Sequence, residues 1–265
     1  MKDTYTRDRL RTFGLLLLVA VFIHAAYTFH VRPVAAGWQA LEKGKQAANP
    51  AYKPRPSVWV ILKDPEQEVA IILGLWALGL AVMKAQAISR HRRQLDAGLL
   101  KVPPGYRILP GDVREYTHKL DGLPADERNL IPARTIRRAL KRFGETADVQ
   151  DAATTVHDYC ESEAARLDSE LAVIRFCVWA IPAIGFVGTV RGIGNALAGA
   201  QLALRGDTSA VTSGLGVSFN STFVALITSI ILMYVIHELQ LRQERLVLDT
   251  EQHVDDAVIS NLQAR

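Results

Sequence analysis

Apolar residues gather in four runs along the chain: 13–29 (FGLLLLVAVFIHAAYTF), 69–83 (VAIILGLWALGLAVM), about 173–198, and about 214–236 (GLGVSFNSTFVALITSIILMYVI). Each approaches the length a helix needs to cross about 30 Å of hydrocarbon at about 1.5 Å per residue. The second run is short, but Lys84 can snorkel and let that helix continue to Ile88. The pattern predicts an all-α integral membrane protein with four transmembrane helices. A cleaved leader is the other reading of the first run, since Arg7, Arg9 and Arg11 precede it. No small-x-small cleavage site follows, and a second apolar run does, so the first run reads as an anchor.

Charge orders these runs. Lys2, Arg7, Arg9 and Arg11 precede the first, and Lys84, Arg90, Arg92 and Arg93 follow the second, which places both groups in the cytoplasm. Six Lys or Arg in 31–67 weigh against this orientation, whereas 199–213 holds only Arg205. The predicted layout is a cytoplasmic start and first span (1–30), a periplasmic segment (31–67), a second span (68–88) and a cytoplasmic helical region (89–172). A transmembrane hairpin (173–238) and a cytoplasmic helical tail (239–265) complete it. A bacterial inner-membrane protein with both termini in the cytoplasm follows. The prolines of NPAYKPRP favour extended geometry, and Trp38 and Trp59 suit the membrane interface, so 31–67 is expected to form a lip over the bundle.

Composition narrows the function. The chain has 265 residues, 49% hydrophobic and 22% charged, with a formal net charge of +4 and a mean hydropathy of +0.10, a mixed membrane and aqueous protein. The positive charge is mostly cytoplasmic-face charge without interleaved aromatics, so no nucleic-acid partner is expected. Cys160 and Cys177 suggest neither a disulfide nor a metal site. No metal-ligand cluster, nucleophile elbow or phosphate loop stands out, and RGIGNALAG lacks the strand context of a dinucleotide site; no cofactor and no enzyme activity are expected.

In the cytoplasmic region KVPPGYRILPGD is turn-rich. IPARTIRRALKRFG (131–144) reads as a basic amphipathic helix, with Ile136, Leu140 and Phe143 on one face. Arg134, Arg137, Arg138, Lys141 and Arg142 would face solvent and lipid headgroups or dock a partner. From Thr146 no breaker intervenes before Pro182, which predicts one long helix running into the third span. The fourth span likewise runs on past residue 238, so both are expected to extend into the cytoplasm as long helices.

The third span, IPAIGFVGTVRGIGNALAGA, gives up much apolar surface. At 100° per residue Gly185, Gly188, Thr189, Gly192, Asn195, Ala196 and Gly199 share a side, a stripe that lets helices approach closely and is expected to face a partner. Leu215, Ser218, Phe219, Thr222, Ala225, Leu226, Ser229 and Met233 share a face of the fourth. A hairpin turning at Arg205–Asp207 brings Thr189 and Thr222 to one depth. No Asp or Glu lies within any of the four apolar runs, although proton relays through membranes usually need a carboxylate or histidine. His24 reads as a packing or headgroup residue. Arg191 points away from the stripe and is expected to pair with Glu66 or Glu68 at the outer end of the second span.

The motif P-x-x-G-x-x-G-T-V-x-G (Pro182, Gly185, Gly188, Thr189, Val190, Gly192), followed by GLGVSFNSTFVALITS, resembles the MotA/TolQ/ExbB proton-channel family over about 175–240. Four spans with the large cytoplasmic segment between the second and third are similar to the flagellar stator member. The resemblance implies a homopentamer around two copies of a MotB/ExbD/TolR-like single-span protein whose membrane aspartate carries the ion. It implies ion-path roles for Thr189 and Thr222 and a coupling role for Pro182; Gly185, Gly188, Gly192, Ser218 and Ala225 would pack the helices. Val217 stands where TolQ and ExbB have a glutamate, and Arg191 replaces an apolar or aromatic residue, which departs from the Ton and Tol systems. The cytoplasmic segment shows no flagellar rotor-docking charge pattern. The leading expectation is a motor subunit driven by protons or sodium ions that serves an envelope or surface process. The competing one is a non-conducting oligomeric scaffold whose basic helix recruits a cytoplasmic partner.

Overall fold

The computed structural model describes residues 2–49, 52–53, 55, 57–100, 102–103 and 105–264, with side chains from residue 10 onward. The helices are α1 (Lys2–Ala26), α2 (Arg32–Ala48), α3 (Val58–Leu62), α4 (Pro65–Asp96), α5 (Val113–Asp121), α6 (Ala125–Arg128), α7 (Ile131–Thr146), α8 (Val149–Ser169), α9 (Ala172–Ala198), α10 (Ala200–Ala203) and α11 (Ser209–Ala257). Among the described residues there is no strand, only an isolated parallel bridge between Ile108 and Leu262. Four helical stretches, Leu10–Ala48, Pro65–Asp96, Val149–Ala198 and Ser209–Asn261, are long and apolar enough to cross a membrane. The chain is an all-α membrane protein. Its contacts form two compact units, Met1–Ala81 with Val173–Ile236, and Val82–Ala172 with His237–Arg265.

The first unit is greasy outside, and its interior mixes small and polar residues with large apolar ones such as Trp76, Ile174, Ile181 and Leu232. Leu17, Phe22, Trp179, Val190, Phe219 and Tyr234 are exposed, while Ala70, Ala77, Ala225, Ser218 and Ser221 are buried. An apolar exterior with small and polar residues at the helix contacts suits a lipid surround, where close packing and interhelical hydrogen bonds hold helices together. On α4, a Cβ at Gly74 would stand 2.6 Å from Thr228 Cγ2 of α11, and one at Gly79 3.0 Å from Leu15 Cδ2 of α1. The Trp76 indole N–H donates to the Thr12 carbonyl at 3.0 Å. Polar contacts gather at the first turn of α4, where Glu68 takes Arg32 Nη2 at 2.5 Å and meets His24 Nδ1 at 2.7 Å. His24 thus has a hydrogen-bond partner in Glu68 that the sequence did not suggest.

One expectation gains detail here and another fails. The lip over 31–67 is largely helix: a π-helical turn, Tyr27–Val31, leads directly into α2. Its extra residue lets the Arg32 N–H reach the Tyr27 carbonyl, five residues back, just before Pro33, which has no N–H to give and sits in the first turn of α2 where none is needed. The prolines of NPAYKPRP (Pro50, Pro54, Pro56) lie outside the described residues, as do Lys101 and Pro104 of the turn-rich stretch. The single helix expected from Thr146 is two, because Glu170 and Leu171 form a turn between α8 and α9. No glycine or proline marks this break. The turn carries Leu171 into complete burial, with its N–H on the Asp168 carbonyl at 3.1 Å.

In the second unit α7 packs on α8 through Ile136, Ala139, Leu140 and Phe143 against Ala152, Val156 and Tyr159, all buried. Asp148 caps α8, its carboxylate accepting from the Gln150 and Asp151 N–H groups, a bond set that anchors helix starts. The basic face of α7 is matched within this unit. Arg134 lies 3.3 Å from Glu163 Oε1, Arg142 2.8 Å from Asp151 Oδ2, Lys141 3.8 Å from Glu145 Oε1, and Arg137 pairs with Asp121. Arg138 stacks over Tyr159 with its guanidinium 4.3 Å from the ring centre.

Candidate ion-path site

The site is the seam between α9 and α11, set by residues without bulk. A Cβ at Gly185 would stand 2.6 Å from the Ala225 Cβ; one at Gly188 would strike the Ser221 side chain. One at Gly192 would lie 2.6 Å from the Gly214 carbonyl oxygen and 2.6 Å from the Ser218 nitrogen. Gly214 returns the contact, its own Cβ falling 2.6 Å from the Gly192 carbonyl oxygen and the Ala196 nitrogen. The pairs step in opposite directions from the turn at Leu204–Gly206, where Gly206 takes φ +94°, a conformation glycine adopts freely. Asp207 helps start the return helix by accepting from the Ser209 N–H at 2.9 Å, and this hydrogen bonding holds its carboxyl below its ordinary pKa. The small stripe of the third span thus faces the fourth span of the same chain, correcting the expectation that it faces a partner. Asn195, assigned to the same side, is exposed.

Thr189 and Thr222 meet on this seam with their hydroxyls hydrogen-bonded to one another. Thr189 Oγ1 also lies 3.2 Å from the Gly185 carbonyl and 3.3 Å from that of Ser218; Thr222 Oγ1 lies 3.3 Å from the Gly185 carbonyl. Two hydroxyls carry two protons, yet two hydroxyl and two carbonyl oxygens compete for them. The cluster is therefore rich in acceptors and poor in donors, suited to a hydronium, a water chain or a small cation. Ser218 completes it by donating to the Thr189 carbonyl at 3.0 Å. Both threonines are half-buried. Exposed Phe186 and Ile193 on α9, with Phe219 and Leu226 on α11, lie three or four residues from them, an apolar border another helix can cover.

Pro182 gives the second feature. Without an N–H it leaves the Val178 carbonyl without its usual helical donor, and Ser229 of α11 supplies one through its hydroxyl at 2.8 Å. The position that interrupts α9 is thus tied to α11 by a hydroxyl. Sequence reasoning placed Ser229 on the right face but gave it no role, and the signal was there: a serine facing the carbonyl four residues before a proline.

Arg191 points away from the threonines, as expected, and its Nη2 meets Glu66 Oε2 at 2.6 Å and Asp64 Oδ1 at 3.9 Å. Glu68, the other expected partner, is held by Arg32 and His24 instead. Asp64 was missed, though KDPEQE signals acids at a helix start, where the dipole favours them. Arg191→Glu is expected to destabilise the protein in detergent, and Glu66→Arg in the same chain to restore most of the loss. Thermal midpoints of the two variants check this; no recovery in the double variant would remove the pairing.

Residues 127–252 match the family model described as the MotA/TolQ/ExbB proton channel family. The match begins well before the hairpin and takes in α7 and α8 as well. Neither curated proteins nor solved structures give a match.

Proposed function

Because the chain belongs to the MotA/TolQ/ExbB proton channel family through residues 127–252, we propose that it is a subunit of an ion-driven motor of the bacterial inner membrane. Five copies form a ring around two copies of a MotB/ExbD/TolR-like single-span protein, with both termini of each chain in the cytoplasm. Protons or sodium ions move down their gradient past Thr189 and Thr222, charging and discharging the partner's membrane aspartate. The movement serves an envelope or surface process. The observation that carries this reading is the acceptor-rich threonine pair, open at one edge, in a hairpin with no carboxylate of its own between Val173 and Leu204 or between Thr208 and His237. An ion path with acceptors but no titrating acid needs the acid from another chain, and the family works with single-span partners in membrane complexes.

Energy suffices for such a device. One charge falling through 100 mV delivers about 2.3 kcal/mol, comparable with the difference between two packings of a helix interface. The test is co-purification under mild detergent. The chain should bring down a short membrane protein with one span and one membrane aspartate, at five copies to two. Recovery of a homo-oligomer that binds no such protein in its native cells would favour a non-conducting scaffold.

A further inference from the structure

Within the first unit a cavity of about 360 Å³ opens among α2, the residues after α3 and the first turns of α11, a volume that holds one small ligand. It lies where the apolar spans give way to polar residues, and Trp38, of the type that settles at membrane interfaces, lines it. One wall lacks a donor. Asp64 is 8% exposed and its Oδ1 takes Lys63 Nζ at 3.2 Å, but its buried Oδ2 has no hydrogen-bond partner among the described residues. A buried carboxylate oxygen left unbonded is costly, so the site calls for a donor from outside the chain.

The remaining walls are rich in free donors: the one other carboxylate there, the buried Glu42, is already taken by Lys45 Nζ, the Tyr52 hydroxyl and the Arg55 N–H. Lys43 and Arg55 line the cavity with no side-chain ion pair among the described residues, and the Ser213 hydroxyl and Asn220 amide make no hydrogen bond there. A bare metal cation would answer Asp64 and leave these groups unmatched beside like charge. A plain phosphate would answer them and leave Asp64 facing an anion. Both halves are met by one molecule with an ammonium at one end and a phosphate at the other. We propose that the cavity seats the headgroup of a phospholipid with a primary ammonium, its N–H on Asp64 and its phosphate toward Lys43, Ser213 and Asn220. A quaternary choline headgroup has the charge but no N–H, so Asp64 discriminates between the two.

The test uses the purified full chain, with whatever partner accompanies it, in nanodiscs of an anionic lipid mixed with phosphatidylethanolamine, its mono- or dimethyl derivative, or phosphatidylcholine. Native mass spectrometry reads the lipid retained. Wild-type protein should hold phosphatidylethanolamine over phosphatidylcholine by roughly tenfold, the factor for one charge-assisted hydrogen bond, with the preference falling at each added methyl. Asp64→Asn should bring the ratio near one. The methyl series on wild-type protein stands whether or not that variant folds. Equal retention of the two lipids by wild type, or an undiminished preference in Asp64→Asn, would overturn the proposal. Saturation by free phosphoethanolamine at the same concentration would overturn the lipid assignment. The outcome is independent of ion conduction, so it can fail while the motor reading stands.

Discussion

Thr222→Val is expected to lower ion-driven function by about 100-fold while the complex still assembles. Valine keeps the shape of threonine and removes one hydroxyl, so packing against Gly185 and Ser218 persists. What disappears is one of the two hydroxyl oxygens at the centre of the acceptor cluster, the partner of Thr189. On a half-buried seam within the membrane, loss of one polar contact to a passing charge costs about 2–3 kcal/mol, the basis of the 100-fold figure. Thr222→Ser keeps the oxygen and should retain most activity. Size-exclusion profiles establish assembly, and swimming, secretion or whatever process the motor drives gives the readout. Normal function in Thr222→Val would take the threonine out of the mechanism.

The second large effect concerns the glycines. Gly192→Ala is expected to disrupt the hairpin, because the new Cβ would meet backbone atoms of Gly214 and Ser218 and no side chain can yield to make room. Overpacking of this kind costs about 3 kcal/mol, enough to empty the membrane of assembled protein. Gly185→Ala differs, since its Cβ meets chiefly the Ala225 Cβ at 2.6 Å. Moving that methyl away with Ala225→Gly should therefore rescue Gly185→Ala, while no single side-chain change rescues Gly192→Ala. Thermal midpoints in detergent separate the two cases. Rescue failing at 185 would mean that the seam is not the close contact described.

The hairpin register was legible because small residues recur at helical spacing on both strands of the hairpin and Arg205–Asp207 marks the turn between them. Thr189 and Thr222 meet for that reason. The direction of the stripe was not legible, since a helical wheel says which residues share a side and not what covers it. Ser218, Ser221 and Ala225 are as small as the glycines opposite, and only packing reveals that each serves the other. The helical continuation past Val31 and the break at Glu170 escaped for the opposite reason. At Pro33 a π-helical turn removes the penalty that the sequence advertises, and at Glu170–Leu171 the chain turns to bury a leucine with no breaker to announce it. The basic face of 131–144 was legible as a face. Its pairing with Asp121, Asp151 and Glu163 depends on acids distributed over two other helices, which linear charge patterning does not join.

The central claim is that ions pass the threonine pair and charge a carboxylate supplied by another chain. Proton or sodium uptake into liposomes carrying the co-purified complex, under an imposed membrane potential, tests it most directly. Uptake is predicted for the wild-type complex and should vanish when the partner's membrane aspartate becomes asparagine. Uptake of equal rate with that asparagine in place would contradict the account.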